Sequence, residues 1–461
     1  MLRRFIGDKA FYRRVIAVAL PIIIQNGICN FVSLLDNIMV GQIGTAEMSG
    51  VAIINQLMFV FNLCVFGATS GAGIFTAQFH GSANQDGIRH TFRYKMLIGG
   101  LISALGIGVF LLWGQPLAQL YLQGDGNPED AIATLGFAWN YLLIMLWGLP
   151  AFAISNAYAS TLRETGQTVV PMIASTVAVF VNLILNWILI FGQFGIAPMG
   201  VQGAAIATVI SRYVELAIVA IWSHSNPGKL PYMRGIYRSL YIPGELLGRI
   251  TLKGMPLLIN EALWSIGMAV LSQCYSTRGL DVVAATNISS TVYNLSSVVY
   301  LALGNAVGIL IGQMLGSGES EERVRDADRK LIFASVSSCL VFGALMAATS
   351  GLFPQIYDTT NEVRSLAAKL ICISAIFLPF NAYTNAAYFT LRSGGQTMVT
   401  FLFDSCFVWL FCVPLALILS YCTGISILPL YIICQATDLI KCALGAFMIK
   451  QGKWIQNLTN S

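Results

Sequence analysis

Apolar residues run through this chain in stretches longer than a soluble helix or strand needs, and polar residues gather in the short breaks between them. Twelve runs reach spanning length, at about 15–40, 51–79, 96–113, 131–160, 169–191, 200–222, 252–275, 282–312, 331–350, 367–390, 398–420 and 427–449. A helix rises 1.5 Å per residue, so about 20 apolar residues cross a bilayer core ~30 Å thick. The pattern predicts an all-α integral membrane protein with twelve transmembrane helices. Pro21, Pro150, Pro256 and Pro379 fall inside runs, which membrane helices tolerate when neighbours satisfy the freed backbone groups. The basic start, with Arg3, Arg4, Lys9, Arg13 and Arg14, is not read as a signal peptide. The run that follows is too long and lacks a small-residue cleavage site, so a retained first span is expected.

Composition sharpens this reading. Of 461 residues, 56% are hydrophobic and only 10% charged, against about 25% charged in soluble domains. An ordinary cytosolic enzyme is excluded, and the expected partner is the lipid bilayer. The net charge of +5 carries no argument for nucleic acid. Ten Cys lie scattered through the apolar runs and three His at predicted segment ends, so neither a metal centre nor a catalytic nucleophile is expected, nor any cofactor.

Basic residues are distributed unevenly between the two sets of breaks. One set, with both tails, carries the N-terminal cluster, Arg89, Arg93, Lys95, Arg163, Lys229, Arg234, Arg238, Arg249, Lys253, Arg323, Arg325, Arg329, Lys330, Arg392, Lys450 and Lys453; the other carries Arg278, Arg364 and Lys369. The positive-inside rule then places both termini in the cytoplasm.

The chain also repeats itself. Ala19-Leu-Pro21-Ile-Ile-Ile-Gln-Asn26 matches Gly254-Met-Pro256-Leu-Leu-Ile-Asn-Glu261 at an offset of 235, which also pairs Gly73 with Gly308, Gln78 with Gln313 and Gly81-Ser82 with Gly316-Ser317. Leu162-Arg-Glu-Thr-Gly-Gln-Thr168 matches Leu391-Arg-Ser-Gly-Gly-Gln-Thr397 at an offset of 229, which pairs Pro150 with Pro379, Asn156 with Asn385 and Arg212 with Lys441. Two pseudo-symmetric six-helix lobes follow: residues 1–222 and 252–461, joined by a cytoplasmic linker over 223–251. Parallel repeats of this kind place a binding site between them near the midplane.

Polar groups inside the runs are the candidate chemistry. Asp36 lies deep in the first span, with Asn26, Asn30, Ser33 and Asn37 on one helical face and Asp36 at its edge. A carboxylate at such depth costs ~2.5–3.5 kcal/mol on insertion scales and normally marks an ion or proton pathway; the competing reading is polar glue between helices. Glu261 shares a face of the seventh span with Ser265, Met268 and Ser272, and a solvated position near the helix end is its alternative. Asn182 and Asn186, and Asn381 and Asn385, are one turn apart and can offer carbonyl oxygens to a cation or simply join helices, while Thr208 can add a hydroxyl. Arg212 with Glu215, and Asp438 with Lys441, stand at i,i+3 as structural ion pairs or a gate. Asp404 has Ser175 at its repeat position and no evident partner. Met58, Met145 and Met268 are candidates for a drug cavity, with core packing or lipid contact the default.

Leu34-Leu-Asp36-Asn-Ile-Met-Val-Gly41-Gln-Ile-Gly44 resembles the first-helix signature of MATE (multidrug and toxic compound extrusion) transporters, and the paired Leu-Arg-x-x-Gly-Gln-Thr segments resemble that family too. The likeness covers about residues 12 to 450. It implies a V-shaped, two-lobe, monomeric antiporter of the bacterial inner (plasma) membrane. Such a protein exports small organic, often cationic, substrates against inward H⁺ or Na⁺ by alternating access. Asp36 matches the family's amino-lobe carboxylate, and Asn182 and Thr208 match polar members of that site. Asn186 stands where many relatives have Asp, which weakens Na⁺ binding and leaves the coupling ion open. Asn381 stands where some members have Asp, and Glu261 lies about one turn before the acid that certain members use. Asn156, Arg212, Asn385, Asp404 and Lys441 are further cavity or gate candidates. The alternatives are a lipid-linked oligosaccharide flippase of the related superfamily, which would carry a more cationic cavity, and a channel or sensor in which Asp36 is structural.

Overall fold

The computed structural model describes residues 5–121, 128–357 and 359–459, so Arg3 and Arg4 of the basic N-terminus lie outside it. Among the described residues the regular structure is helical throughout. In chain order the helices are α1 (Lys9–Gly41), α2 (Thr45–Gly81), α3 (Gln85–Tyr121), α4 (Pro128–Met145), α5 (Gly148–Glu164), α6 (Val169–Phe191) and α7 (Gly200–Ser225). They continue as α8 (Gly244–Ser276), α9 (Leu280–Gly316), α10 (Glu321–Ala348), α11 (Asn361–Ser393), α12 (Thr397–Tyr421) and α13 (Ile427–Gln451).

Among the described residues eleven of these helices are individually long and apolar enough to span a bilayer, and α4 with α5, bent by 49° at their junction, is long and apolar enough as a pair. The expected single run over 131–160 is therefore broken near Leu146. Pro150 has no N–H to give the Leu146 carbonyl, which instead accepts from Leu149 at 3.3 Å in a tighter turn. Several helices outrun their apolar stretches: α3 begins at Gln85 and carries Asp86, Arg89, Arg93 and Lys95 in its first three turns. α12 is irregular, with π-helical turns at Leu402–Cys406 and Val408–Cys412.

The helices form two compact units. One comprises Ile24–Thr76 and Gln85–Thr251; the other comprises the chain up to Ile23, Ala77–Asn84 and the chain from Leu252 onward. The core of the first joins Val40, Ile54, Phe61, Leu142, Ile190 and Ala205. In the second, α9 and α11 pack through Ala302, Ala306, Ala382, Ala386 and Ala387, each fully buried. Small side chains let membrane helices approach closely, where van der Waals contact replaces the hydrophobic driving force. α3 leaves Leu97, Leu101, Leu105 and Leu112 exposed along one stripe, as a lipid-facing helix does.

The sequence repeat reappears in the backbone. Gly166 and Gly395, equivalent in the repeat, both take φ in the left-handed region (81° and 75°). Each ends its helix with the same bonds, Gln167 N to Leu162 O at 2.7 Å and Gln396 N to Leu391 O at 3.2 Å. The Gly-Gln-Thr motif is thus a helix C-cap used twice. A second pair is reciprocal: a Cβ on Gly81 would lie 1.9 Å from the Gln313 carbonyl oxygen, and one on Gly316 would lie 1.9 Å from that of Gln78. The end of α2 and the end of α9 therefore touch backbone to backbone. Gln78, fully buried, ties this crossing to the C-terminal tail. Its Nε2 donates to Ser393 O (2.9 Å) and Gln456 O (3.1 Å), and its Oε1 accepts from Leu458 N (2.6 Å).

Gly81→Ala and Gly316→Ala should each destabilise the detergent-purified protein by about 1–3 kcal/mol, because backbone rather than a movable side chain blocks the new methyl. Gly108→Ala, with open space around it, should be neutral or slightly stabilising. Thermal unfolding of the three variants checks this, and equal midpoints would contradict it.

Candidate functional site

Asp36 lies on α1, four turns past Pro21, and is half-buried among α6 and α7 in the unit of Ile24–Thr76 and Gln85–Thr251. Asn182 and Asn186 reach it from α6, where their spacing of four places both amides on one face. Asn186 Nδ2 donates to Asp36 Oδ1 at 2.8 Å and to Asn182 Oδ1 at 3.2 Å, and Asn182 Nδ2 lies 3.2 Å from Thr208 Oγ1. Turning the Asn182 amide by 180° puts its nitrogen 3.1 and 2.9 Å from the two Asp36 oxygens, and its oxygen 3.2 Å from both Thr208 N and Oγ1. That orientation gives the carboxylate a second donor in exchange for the Asn186–Asn182 bond, and it is the one the chemistry of the carboxylate favours.

Asn182 and Asn186 are 6% and 2% exposed, so this chemistry sits inside packed helices. Asn186 Oδ1 is buried and has no hydrogen-bond partner among the described residues. The cluster thus offers an anionic oxygen pair, an unpaired carbonyl oxygen and a hydroxyl, a set that accepts a proton or a small monovalent cation. Its donors are all uncharged, so among the described residues no cation neutralises Asp36 at hydrogen-bonding distance.

Tyr141 on α4 completes the surroundings, and sequence reasoning does not single it out. It is 4% exposed, donates to Asn55 Oδ1 at 3.4 Å, and is an electrostatic neighbour of Asp36 and Arg212. The apolar run around it gives no sign of this role. Of the first-span stripe, Asn26 is half-buried and Asn30 and Ser33 are exposed; none joins the Asp36 cluster, and the Asn37 side chain lies outside the described residues. Asn156 donates to Thr69 Oγ1 at 3.1 Å, apart from the cluster. Arg212 lies over the Phe152 ring, 4.7 Å from its centroid, with Glu215 an electrostatic neighbour but not an ion-pair contact among the described residues. Met58 and Met145 are core side chains, each 3% exposed, and only Met268 of the three is open.

The other unit places its charges differently. Asp404, on the first π-helical turn of α12, accepts from Lys441 Nζ on α13 at 2.6 Å and from Asn260 Nδ2 on α8 at 3.0 Å. Asn260, 1% exposed, also holds Ser405 through its N–H (3.2 Å) and hydroxyl (2.8 Å). Asp404 therefore has a partner, and the expected Lys441–Asp438 pair along one helix gives way to a cross-helix bond, with Asp438 left as an electrostatic neighbour. The side chains of Lys441 and Asp404 are 12% and 17% exposed. Glu261 is an electrostatic neighbour of Asp404 and Arg392. Asn381 Nδ2 donates to Tyr293 Oη at 3.2 Å, while Asn385 Oδ1 is buried with no hydrogen-bond partner among the described residues.

Known proteins match this chain along its length. The MatE family model matches residues 21–188 and again 256–422, one copy for each repeat. The chain is 25% identical to the probable multidrug resistance protein NorM of Thermotoga maritima over 449 residues, covering 96% of this chain and 93% of that protein. It is 24% identical to the multidrug resistance protein MdtK of Pectobacterium atrosepticum, covering 88% and 87% of the two. Among solved structures, a mutant of the Vibrio cholerae MATE transporter VcmN superposes with a TM-score of 0.84 at 20% identity, covering 97% of this chain and 98% of that one. An outward-facing multidrug resistance MATE transporter gives 0.82 at 18%, covering 98% of each chain. The doubled family match, together with the spans and the repeated caps, places the chain in the MATE family of multidrug efflux transporters.

Proposed function

We propose that this protein is a secondary antiporter of a bacterial inner membrane, exporting small organic, often cationic, compounds in exchange for inward H⁺ or Na⁺ bound at Asp36. The observation that carries this reading is the Asp36 carboxylate, held within a spanning helix by Asn182 and Asn186 with no ion-pair partner among the described residues. The names of relatives such as NorM and MdtK support multidrug export. The uneven basic loops support an orientation with both termini cytoplasmic.

The physics of the cycle follows from burial. Charged Asp36 resists any rearrangement that removes more water from it; a bound proton or Na⁺ cancels that cost and favours the more closed arrangement of its helices. Substrate release and cation binding are then linked through one conformational equilibrium, and the coupling is limited by the difference in cation affinity between the two states. With one carboxylate instead of two, the site is better matched to H⁺ than a two-acid cage, and Na⁺ remains the second candidate.

Proteoliposomes with an imposed proton or sodium gradient and a fluorescent organic cation test the proposal. The wild type should move dye with one gradient only, and Asp36→Asn should cut the rate at least tenfold, about 1.4 kcal/mol of driving interaction. Undiminished export by Asp36→Asn would refute the role of Asp36. Asn186→Asp adds the second carboxylate and should raise apparent Na⁺ affinity roughly tenfold; an unchanged sodium dependence would show that the carboxamide is not at the ion.

In the other unit Asp404 carries its own cation. Lys441→Ala leaves a largely buried charge unpaired and should cost about 3–5 kcal/mol. The double variant Asp404→Asn with Lys441→Gln should recover most of that loss. Thermal unfolding separates the cases: a single variant as stable as wild type would mean the pair is solvated.

A further inference from the structure

The first unit holds a second polar feature that the transport reading leaves unused. A cavity of about 440 Å³ is lined by Arg89, Arg93, Arg234, Gly235 and Arg238, none of which belongs to the Asp36 cluster. It forms where the opening turns of α3 meet the segment after α7, whose Tyr232, Met233 and Ile236 are buried anchors.

The guanidinium groups of α3 are positioned by the backbone rather than by a ring of acids. Arg89 Nε donates to Tyr232 O (3.2 Å) and its Nη2 to Arg234 O (3.3 Å). Arg93, 7% exposed, donates from Nε to Ile236 O (2.9 Å) and from Nη1 to Tyr241 O (3.0 Å). The single carboxylate in contact, among the described residues, is Asp86, an exposed partner of Arg89 one turn away. Arg234 and Arg238 are exposed, and among the described residues their side chains make no hydrogen bond or ion pair. Gly235 sits between them at φ +69°, and a Cβ there would lie 3.1 Å from Arg238 Cδ, so the turn that brings both arginines to the cavity suits glycine.

Four positive charges against one negative charge, converging on one concavity, repel one another unless an anion joins them. Guanidinium forks match the oxygens of a phosphate bidentately. Along the same segment Tyr237, Leu240 and Tyr241 are 53%, 57% and 67% exposed, an apolar shoulder suited to the interfacial part of a lipid. We propose that this arginine cavity is a binding site for a phosphate group, its natural source being the headgroup of an anionic phospholipid at the basic end of the protein.

Native mass spectrometry of the full-length protein, exchanged into detergent with phosphatidylglycerol or phosphatidylcholine, tests this. Phosphatidylglycerol should be retained over phosphatidylcholine, and Arg234→Gln with Arg238→Gln should cut its retention at least tenfold without shifting thermal unfolding in phosphatidylcholine. A charge-matched pair elsewhere on the surface, Arg13→Gln with Arg323→Gln, should leave retention unchanged. Isothermal titration with inorganic phosphate separates the sources: heat in the wild type that vanishes in the Arg234/Arg238 variant supports a phosphate site open to solution, and no heat with lipid retention intact supports the headgroup. Equal lipid retention in all three proteins, or equal loss in both variant pairs, would overturn the proposal.

Discussion

A carboxylate held inside a membrane helix by uncharged carboxamides is the constraint around which this protein is organised. Asp36 gains donors from Asn186 and Asn182 but, among the described residues, no ion-pair partner, so its ionised form is solvated only in part. In a bilayer such a group has few stable states: charged and wetted, or neutralised by a proton or cation and dry. A site with two states separated by hydration is what a coupled transporter requires, because a ligand moves an equilibrium only through unequal affinity for its two ends.

The second unit resolves the same electrostatic problem in another way. Lys441 and Asn260 together engage both oxygens of Asp404, and the π-helical turn at Leu402–Cys406 accompanies that acid. A tethered ammonium competes with any free cation for the carboxylate. In the proposed cycle the two units therefore divide the work, with the exchangeable ion at Asp36 and a fixed counter-ion at Asp404. Glu261 and Asp438 are further electrostatic neighbours of that pair, with Arg392 beside Glu261.

Spans and repeat are legible in the sequence because both are periodic properties of the chain itself. Apolar runs show where backbone can sit in lipid, and Gly166 and Gly395 recur because two equivalent helices need the same left-handed cap. The bend in the fourth span is half legible: Pro150 is visible, its effect on the Leu146 carbonyl is not. Cross-helix partners are the least legible. Along the chain Asp404 stands alone and Lys441 has Asp438 one turn away, since local spacing cannot report that α12 and α13 bring Asp404 and Lys441 within 2.6 Å. Asn260 is an ordinary member of an apolar run until packing aims its amide at Asp404, and Tyr141 until packing buries it near Asp36. Asn186, by contrast, is identifiable from its spacing to Asn182 and from the family resemblance.

The most direct test of the central claim runs transport in reverse. Proteoliposomes loaded with an organic-cation substrate, with no ion gradient imposed, are diluted into substrate-free buffer while internal pH and internal sodium are followed by fluorescence. If Asp36 links the two fluxes, substrate leaving the vesicles drives H⁺ or Na⁺ in the opposite direction, and Asp36→Asn abolishes that movement. Substrate efflux with no countermovement of either ion would contradict the account.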